Sequence, residues 1–138
     1  MSYRYRTLAH SIKEGIGVPS AAFLIWDRIR EERSPVFIPM PSHTGKPSTW
    51  MLELCWYLAR LSGGTVIDAL RGNRRMSLYL AKKQGKRVTV TMRQILSVPA
   101  NAFIVDNVIA TGLTMRTAQA ALAAPTRPLA LTVASRHP

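Results

Sequence analysis

Hydrophobic side chains recur along this chain at spacings typical of two kinds of secondary structure. In two stretches they return every three to four residues, as on one face of an amphipathic helix. The first follows Ser20 and the second follows Ser48 and Thr49, all residue types that cap helices. Their apolar stripes are Ala21, Leu24, Ile25 and Ile29, and Met51, Leu54, Cys55, Leu58 and Leu61. Shorter helices are predicted over residues 7–14, 76–83 and 114–124.

Short apolar runs without a polar interruption predict the strands. They cover residues 36–38, 65–67, 103–105 and 129–133. Such runs are typical of a parallel sheet that is buried on both faces. A weaker alternating pattern at 88–91 predicts a further strand or an extended loop arm. Because helices and strands alternate along the chain, we expect an α/β fold with a mostly parallel sheet flanked by helices.

The length of the chain, 138 residues, fits a single domain. We expect this domain to consist of an N-terminal helical segment, 1–33, and a core, 34–138. The one cysteine, Cys55, excludes a disulfide scaffold and a multi-cysteine zinc site. No apolar run is long enough to cross a membrane, and the N-terminal residues lack the pattern of a secretory signal. The expected location is therefore the cytoplasm, without a membrane partner.

The charge of the chain is strongly unbalanced. Nineteen Lys and Arg against seven Asp and Glu give a net charge of +12, which favours polyanionic partners such as nucleic acid or phosphorylated metabolites. Between residues 71 and 93 there is no acid, but there are eight basic residues: Arg71, Arg74, Arg75, Lys82, Lys83, Lys86, Arg87 and Arg93. Two interpretations stay open at this point. The segment is either a solvated basic face or a segment that contacts phosphate.

The stretch from 103 to 114 carries the clearest candidate chemistry. A buried strand is followed by Asp106 and Asn107, and a short loop with Gly112 then enters a helix. Backbone N–H groups at a helix N-terminus favour an anion, and glycine lets the backbone approach a phosphate closely. Thr111 and Thr114 add hydroxyl groups. A carboxylate beside such a loop, at the carboxyl end of a strand, predicts a site for a sugar phosphate.

Two segments resemble type I phosphoribosyltransferases. The run Ile104-Val105-Asp106-Asn107-Val108-Ile109-Ala110-Thr111-Gly112-Leu113-Thr114 is similar to the family's signature of a hydrophobic strand, an acidic pair and a Thr-Gly loop. Residues 36–41, with their polar loop and following helix, resemble the family's first strand and pyrophosphate loop. Pro39-Met40-Pro41 is similar to the short ComF-type members. The basic segment falls where the family has a flexible loop over its active site.

This resemblance implies a protein that binds phosphoribosyl pyrophosphate, or a nucleotide phosphate, together with Mg²⁺, and transfers the phosphoribosyl group to a base. It implies that Asp106 and Asn107 meet the ribose hydroxyls, and that Asp106 contributes indirectly to holding the metal. The implied site for the 5-phosphate is Ala110, Thr111, Gly112, Leu113 and Thr114. The implied site for the pyrophosphate is Ser42, His43, Lys46, Arg74 and Arg75.

The chain also departs from the family pattern. Asn107 replaces the second acid, and Ala110 stands where some family members place a general base. After residue 133 we expect no C-terminal hood, the subdomain that selects the base in the family. An alternative is therefore a non-catalytic module of the same fold that binds nucleic acid or a protein partner through its basic surface. A homodimer or a partner chain would then supply the missing walls of the site.

Overall fold

The computed structural model describes residues 3–133, with side chains described from residue 7 onward. The helices are α1 (Tyr3–Ile12), α2 (Val18–Asp27), α3 (Thr49–Ser62), α4 (Leu78–Lys83) and α5 (Leu113–Ala121). The strands are β1 (Val36–Pro39), β2 (Thr65–Val66), β3 (Leu70–Gly72), β4 (Met92–Gln94), β5 (Ala102–Ile109) and β6 (Thr126–Val133). Within the described residues, no helix combines the length and the apolar character needed to cross a membrane.

The central sheet has four parallel strands in the order β2-β1-β5-β6. From its centre, the β1–α3–β2 connection moves toward one edge and the β5–α5–β6 connection toward the other. Because crossovers between parallel strands are right-handed, these opposite directions place α3 and α5 on opposite faces of the sheet. The predicted α/β fold with a parallel sheet flanked by helices is confirmed. Strands β3 and β4 form a separate antiparallel pair.

The core lies on both faces of this sheet, as the uninterrupted apolar strand runs predict. Phe37, Ile38, Ile104, Val105 and Leu131 are all buried within the strands. Helices α2 and α3 pack against each other and cover one face with the apolar stripes identified in the sequence. From these helices the buried residues are Val18, Ala21, Ala22, Ile25, Met51, Leu54, Cys55 and Leu58.

Helix starts and one strand differ from the sequence-based expectations. Helix α2 begins earlier than a Ser20 cap would place it: its N-cap is Gly17, with a φ of 76°. Helix α5 is capped by Gly112, with a φ of 85°, so Thr114 lies inside its first turn. In both places a glycine adopts the left-handed conformation that turns the chain into the helix. Residues 88–91 form a loop arm, the second of the two alternatives, and the strand lies after them at 92–94, where it pairs with β3.

Strand β5 is also longer than predicted. It continues through Asp106 and Asn107 as far as Ile109. Strand β6 runs beside it over this whole length, pairing Asp106 with Ala130 and Ile109 with Val133. Backbone hydrogen bonds to the neighbouring strand therefore hold the polar pair in extended conformation, although its side chains alone are typical of a loop.

Candidate functional site

The loops that carry the predicted chemistry leave neighbouring strands at the same edge of the sheet. Strands β1 and β5 are adjacent and parallel, and the Met40 N–H donates to the Val105 carbonyl at 3.1 Å just beyond β1. Helices α3 and α5 depart from these strands toward opposite faces. Open α/β sheets bind ligands in the crevice that such a divergence creates. Residues 40–48 and 110–112 are therefore placed where that rule expects a ligand.

The loop after β1 closes on itself through Ser42. Its N–H donates to the Lys46 carbonyl at 2.9 Å, and its hydroxyl donates to the same oxygen at 2.8 Å. The N–H groups of Thr44 and Gly45 donate back to the Ser42 hydroxyl and carbonyl oxygens, at 3.2 and 3.0 Å. These bonds form a compact turn. The side chains of His43 and Lys46 are exposed on it.

This turn is joined to the β3 end of the antiparallel pair. The Gly72 N–H donates to the Gly45 carbonyl and the Arg75 N–H to the His43 carbonyl, both at 2.9 Å. Gly45 has a φ of 96°, and a Cβ there would lie 2.6 Å from the Gly72 oxygen, so only glycine permits this approach. The structure thus brings the predicted pyrophosphate residues of the 42–46 loop next to Arg74 and Arg75.

Arg75 is the more enclosed of these two arginines. Its Nη1 donates to the Asn73 carbonyl at 3.2 Å, and its buried Nε has no hydrogen-bond partner within the described residues. Burial lowers the pKa of Arg75 from its usual value. Arg75 is half-buried and has no carboxylate partner within the described residues, so its positive charge beside the 42–46 loop is not neutralised there. Arg74, in contrast, is exposed.

Asp106 lies on β5 where that strand extends past the end of β1. The Asn107 N–H donates to its Oδ1 at 2.8 Å. Burial raises the pKa of Asp106 to about 6, against the opposing effects of that N–H and of the positive charge of Lys13. Water solvates this carboxylate poorly. At neutral pH it is charged and retains lone pairs that can accept hydrogen bonds from hydroxyl groups.

Asn107 faces the other side of the sheet, because successive side chains alternate along a strand. It is 4% exposed. Its Nδ2 donates to the Ala9 carbonyl at 3.0 Å, and its Oδ1 accepts from the Val108 N–H at 2.9 Å. The side chain therefore ties α1 to the sheet. Because both polar groups of Asn107 are already bonded inside the protein, we assign it no contact with the ribose hydroxyls.

The loop after β5 enters α5 at Gly112, which has no side chain that could cap the helix. The first N–H groups of a helix have no acceptor within that helix, which makes this end favourable for an anion. The Leu113 N–H donates to the Thr111 hydroxyl at 3.3 Å. Arg116, which the sequence analysis missed, folds back over the loop and donates from Nη1 to the Thr111 carbonyl at 3.4 Å. The sequence signal for this contact is spacing: Arg116 follows Gly112 by four residues, about one helical turn, which places it back over the start of the helix.

The remaining predicted loop residues are accessible. Ala110 and Thr111 are exposed, while Gly112 and Thr114 are half-buried. A Cβ at Gly112 would lie 2.7 Å from Arg116 Nη1, so the absence of a side chain there leaves space for the guanidinium. The loop backbone, two hydroxyl-bearing side chains and one cation are thus grouped at the start of α5.

A resident magnesium site does not fit the described residues. Among them, no three His, Cys, Asp or Glu side chains come together in a way that could hold a metal ion. Asp68, just past β2, is paired with Arg71 at 2.8 and 3.1 Å. Asp106 is therefore left without a second carboxylate to share a divalent cation.

The basic segment divides into two parts. Arg71 and Arg93 face each other in register on β3 and β4, and Arg74 and Arg75 follow β3 beside the 42–46 loop. Lys82, Lys83, Lys86 and Arg87 are exposed on α4 and the turn that follows it. The solvated-face interpretation holds for this second part. The first part lies near the crevice.

A further cavity lies at the opposite edge of the sheet, near the starts of β5 and β6. It has a volume of about 490 Å³ and is lined by residues at the start of β5 and β6, including Phe103 and Arg127, and by residues 27–32. Arg127 pairs with Glu32, lies 4.0 Å from the centre of the Phe103 ring and donates to the Asn101 carbonyl. Arg127 and Glu32 are therefore already paired with each other in this cavity.

Known proteins provide no further assignment of the site. No family model matches the chain, and no curated protein shows significant similarity to it. The chemistry of the crevice is therefore argued from its own residues.

Proposed function

We propose that this protein binds a phosphorylated ribose, with phosphoribosyl pyrophosphate as its ligand, in the crevice between β1 and β5. The observation that carries the proposal is the position of Asp106. This poorly solvated carboxylate lies on β5 just past the end of β1, and the polar loops that follow these two adjacent parallel strands lead to helices on opposite faces of the sheet. An acceptor flanked by two groups of anion-favouring donors matches a ribose flanked by two phosphate groups.

Each part of the ligand has matching chemistry in the crevice. The 5-phosphate binds at the 110–112 loop and the N-terminus of α5, where Arg116 adds a charge-assisted donor. The ribose hydroxyls donate to Asp106. The pyrophosphate lies against the 42–46 loop, where Lys46 and Arg75 supply positive charge.

The proposed reaction is release of pyrophosphate from the ribose, with transfer of the phosphoribosyl group to a base. As the bond to pyrophosphate breaks, positive charge develops on the sugar and negative charge on the leaving group. Lys46, Arg74 and Arg75 neutralise that negative charge. Mg²⁺ bound to the pyrophosphate itself would supply further positive charge, and we assign no step to a metal held by the protein. Ala110 provides no general base for the acceptor.

The test is a calorimetric titration with phosphoribosyl pyrophosphate, with and without Mg²⁺. Asp106→Ala should weaken binding by about 1.5–3 kcal/mol, the usual value for a hydrogen bond to a charged group. This is roughly a tenfold to hundredfold increase in Kd. Asp27→Ala is the matched control, because Asp27, the last residue of α2, is an exposed carboxylate that pairs with Arg30. Equal affinity of wild type and Asp106→Ala, or no binding by the wild type, would overturn the proposal.

A second candidate function is binding of nucleic acid outside the crevice. The observation that favours it is the set of four exposed cations on α4 and its following turn: Lys82, Lys83, Lys86 and Arg87. In the described part of the chain, no acidic side chain pairs with any of them.

Binding of this kind releases counterions and is therefore sensitive to salt. Each neutralised phosphate contributes about −0.7 to −0.9 to the slope of log affinity against log salt concentration. Replacing the four cations together by Gln should flatten that slope. It should leave the affinity for phosphoribosyl pyrophosphate unchanged. A slope that survives the replacement would place polyanion binding on another surface.

A further inference from the structure

Helix α4 is a short element between β3 and β4, and its hydrogen bonds lie within its own segment. The Ser77 hydroxyl caps it by accepting from the Leu80 N–H at 3.2 Å, and Ala81 is the buried residue of the helix. At its other end the Lys86 N–H donates to the Ala81 carbonyl at 2.8 Å. The segment is closed at its base by Asn73, whose Nδ2 donates to the Thr89 carbonyl at 2.7 Å. The side chains on α4 therefore project from a defined backbone.

Tyr79 is the most exposed large hydrophobic side chain in the described part of the chain, at 77%. Its ring contacts no other aromatic ring or cation there, and its hydroxyl forms no hydrogen bond. The protein thus holds a planar apolar ring in solvent. Both the ring face and the hydroxyl are open to a ligand.

Four exposed cations follow this ring within eight residues of the chain. Lys82 and Lys83 follow Tyr79 by three and four positions, so all three side chains share one side of the helix. Lys86 and Arg87 follow immediately after Gly85, which has a φ of 67° and turns the chain at the end of the helix. We call this set the α4 surface: Tyr79, Lys82, Lys83, Lys86 and Arg87.

We propose that the α4 surface binds single-stranded nucleic acid, with one base stacked on Tyr79 and the adjacent phosphates on the four cations. The inference deepens the second candidate function and rests on it. Aromatic rings beside cations bind single strands because every unpaired base has a free π-face. In a duplex these faces are buried in the base stack, so Tyr79 would gain no contact there.

The size of α4 disfavours a membrane surface as the ligand. Helices that bind membranes present a continuous apolar face along many turns. Helix α4 has six residues, fewer than two turns, and the apolar side chains beside Tyr79, Leu78 and Leu80, are about half as exposed as Tyr79, at 38% and 41%. One ring among cations matches one base among phosphates better than it matches a lipid layer.

The experiment measures fluorescence anisotropy of labelled oligonucleotides at low salt. The probes are single-stranded oligo(dT), an abasic strand of the same length and a duplex. Tyr79→Ala should weaken binding to oligo(dT) about 5- to 150-fold, the range measured for loss of one stacked base. Tyr79→Phe keeps the ring and should retain wild-type affinity. For the abasic strand, wild type and Tyr79→Ala should bind equally, with the same salt slope.

The possible outcomes of these measurements distinguish failure of this inference from failure of the proposals above. Equal binding of oligo(dT) by wild type and Tyr79→Ala, with a steep salt slope, would overturn stacking but leave the second candidate function in place. No binding to any oligonucleotide at low salt would remove both. Stronger binding to phosphatidylserine vesicles than to oligo(dT) would assign the α4 surface to membranes and overturn the inference. Titration with phosphoribosyl pyrophosphate should be unaffected by either Tyr79 variant.

Discussion

Replacing Asp106 by Asn should stabilise the protein at neutral pH. The substitution keeps the shape of the side chain and an oxygen that can accept from the Asn107 N–H. It removes a negative charge that the fold holds in a poorly solvated position. Burial raises the pKa of this carboxyl from 3.8 to about 6, so the folded state favours its protonated form.

The sign and size of the effect follow from these two pKa values. Between pH 4 and 6 the folded state binds more protons than the unfolded state, so wild-type stability falls as pH rises through this range. Above pH 7 the full difference applies, at most about 3 kcal/mol, since one pH unit corresponds to about 1.4 kcal/mol. Asp106 is half-buried. Partial solvation therefore places the expected gain of Asp106→Asn at about 1–3 kcal/mol at pH 7.5, and at about a third of that at pH 4.5.

Urea unfolding followed by circular dichroism at pH 4.5 and 7.5 measures this gain. Asp27→Asn is the matched control, because Asp27 is an exposed carboxylate in an ion pair with Arg30. Its effect should stay below about 1 kcal/mol at either pH. A stability gain for Asp106→Asn that is the same at both pH values, or a loss at pH 7.5, would refute the reasoning. The same variant should bind phosphoribosyl pyrophosphate more weakly than the wild type, which would separate the stability of the fold from its function.

Other substitutions test the packing around the crevice. Asn107→Ala should destabilise the protein by about 1–3 kcal/mol, because it leaves the buried Ala9 carbonyl and Val108 N–H without their side-chain partner; thermal unfolding checks this, and an unchanged Tm would contradict it. Gly45→Ala should destabilise more than Gly85→Ala in the same assay. Both glycines have positive φ, but only a Cβ at Gly45 meets a backbone oxygen, at 2.6 Å. Equal losses would show that the contact between the 42–46 loop and β3 contributes nothing.

The layout of the fold follows from local patterns in the sequence. The apolar runs at 36–38 and 103–105 are strands because only a sheet covered on both faces buries every side chain of such a run. The stripe from Met51 to Leu58 is helical because its apolar side chains recur every three to four residues, which places them together on the buried face of a helix. These patterns depend on neighbours within a few residues, so the sequence alone was sufficient to predict them.

The role of Asn107 could not be predicted in this way. Asn107 directly follows Asp106 in the sequence, and its polar amide is of a type that can hydrogen-bond a sugar hydroxyl. Its side chain is instead bonded to Ala9, 98 residues away, and its strand is extended by pairing with β6. Both interactions join distant parts of the chain. Arg116 was missed for a different reason, since its contact with Thr111 depends on the direction in which α5 leaves the loop.

The closed base of the segment that carries α4 has a consequence for how this protein can change over evolution. Asn73 bonds to Thr89 and Thr91, and the paired strands β3 and β4 lie directly outside these residues, before Asn73 and after Thr91. Because the two ends are held together, doubling the length of the segment between them would cost only about 0.6 kcal/mol of closure entropy. Insertions and exchanges on the α4 side of Arg75, which bonds to the 42–46 loop, leave the parallel sheet and its crevice unstrained. The recognition surface on α4 can therefore diversify while the scaffold that supports it stays the same.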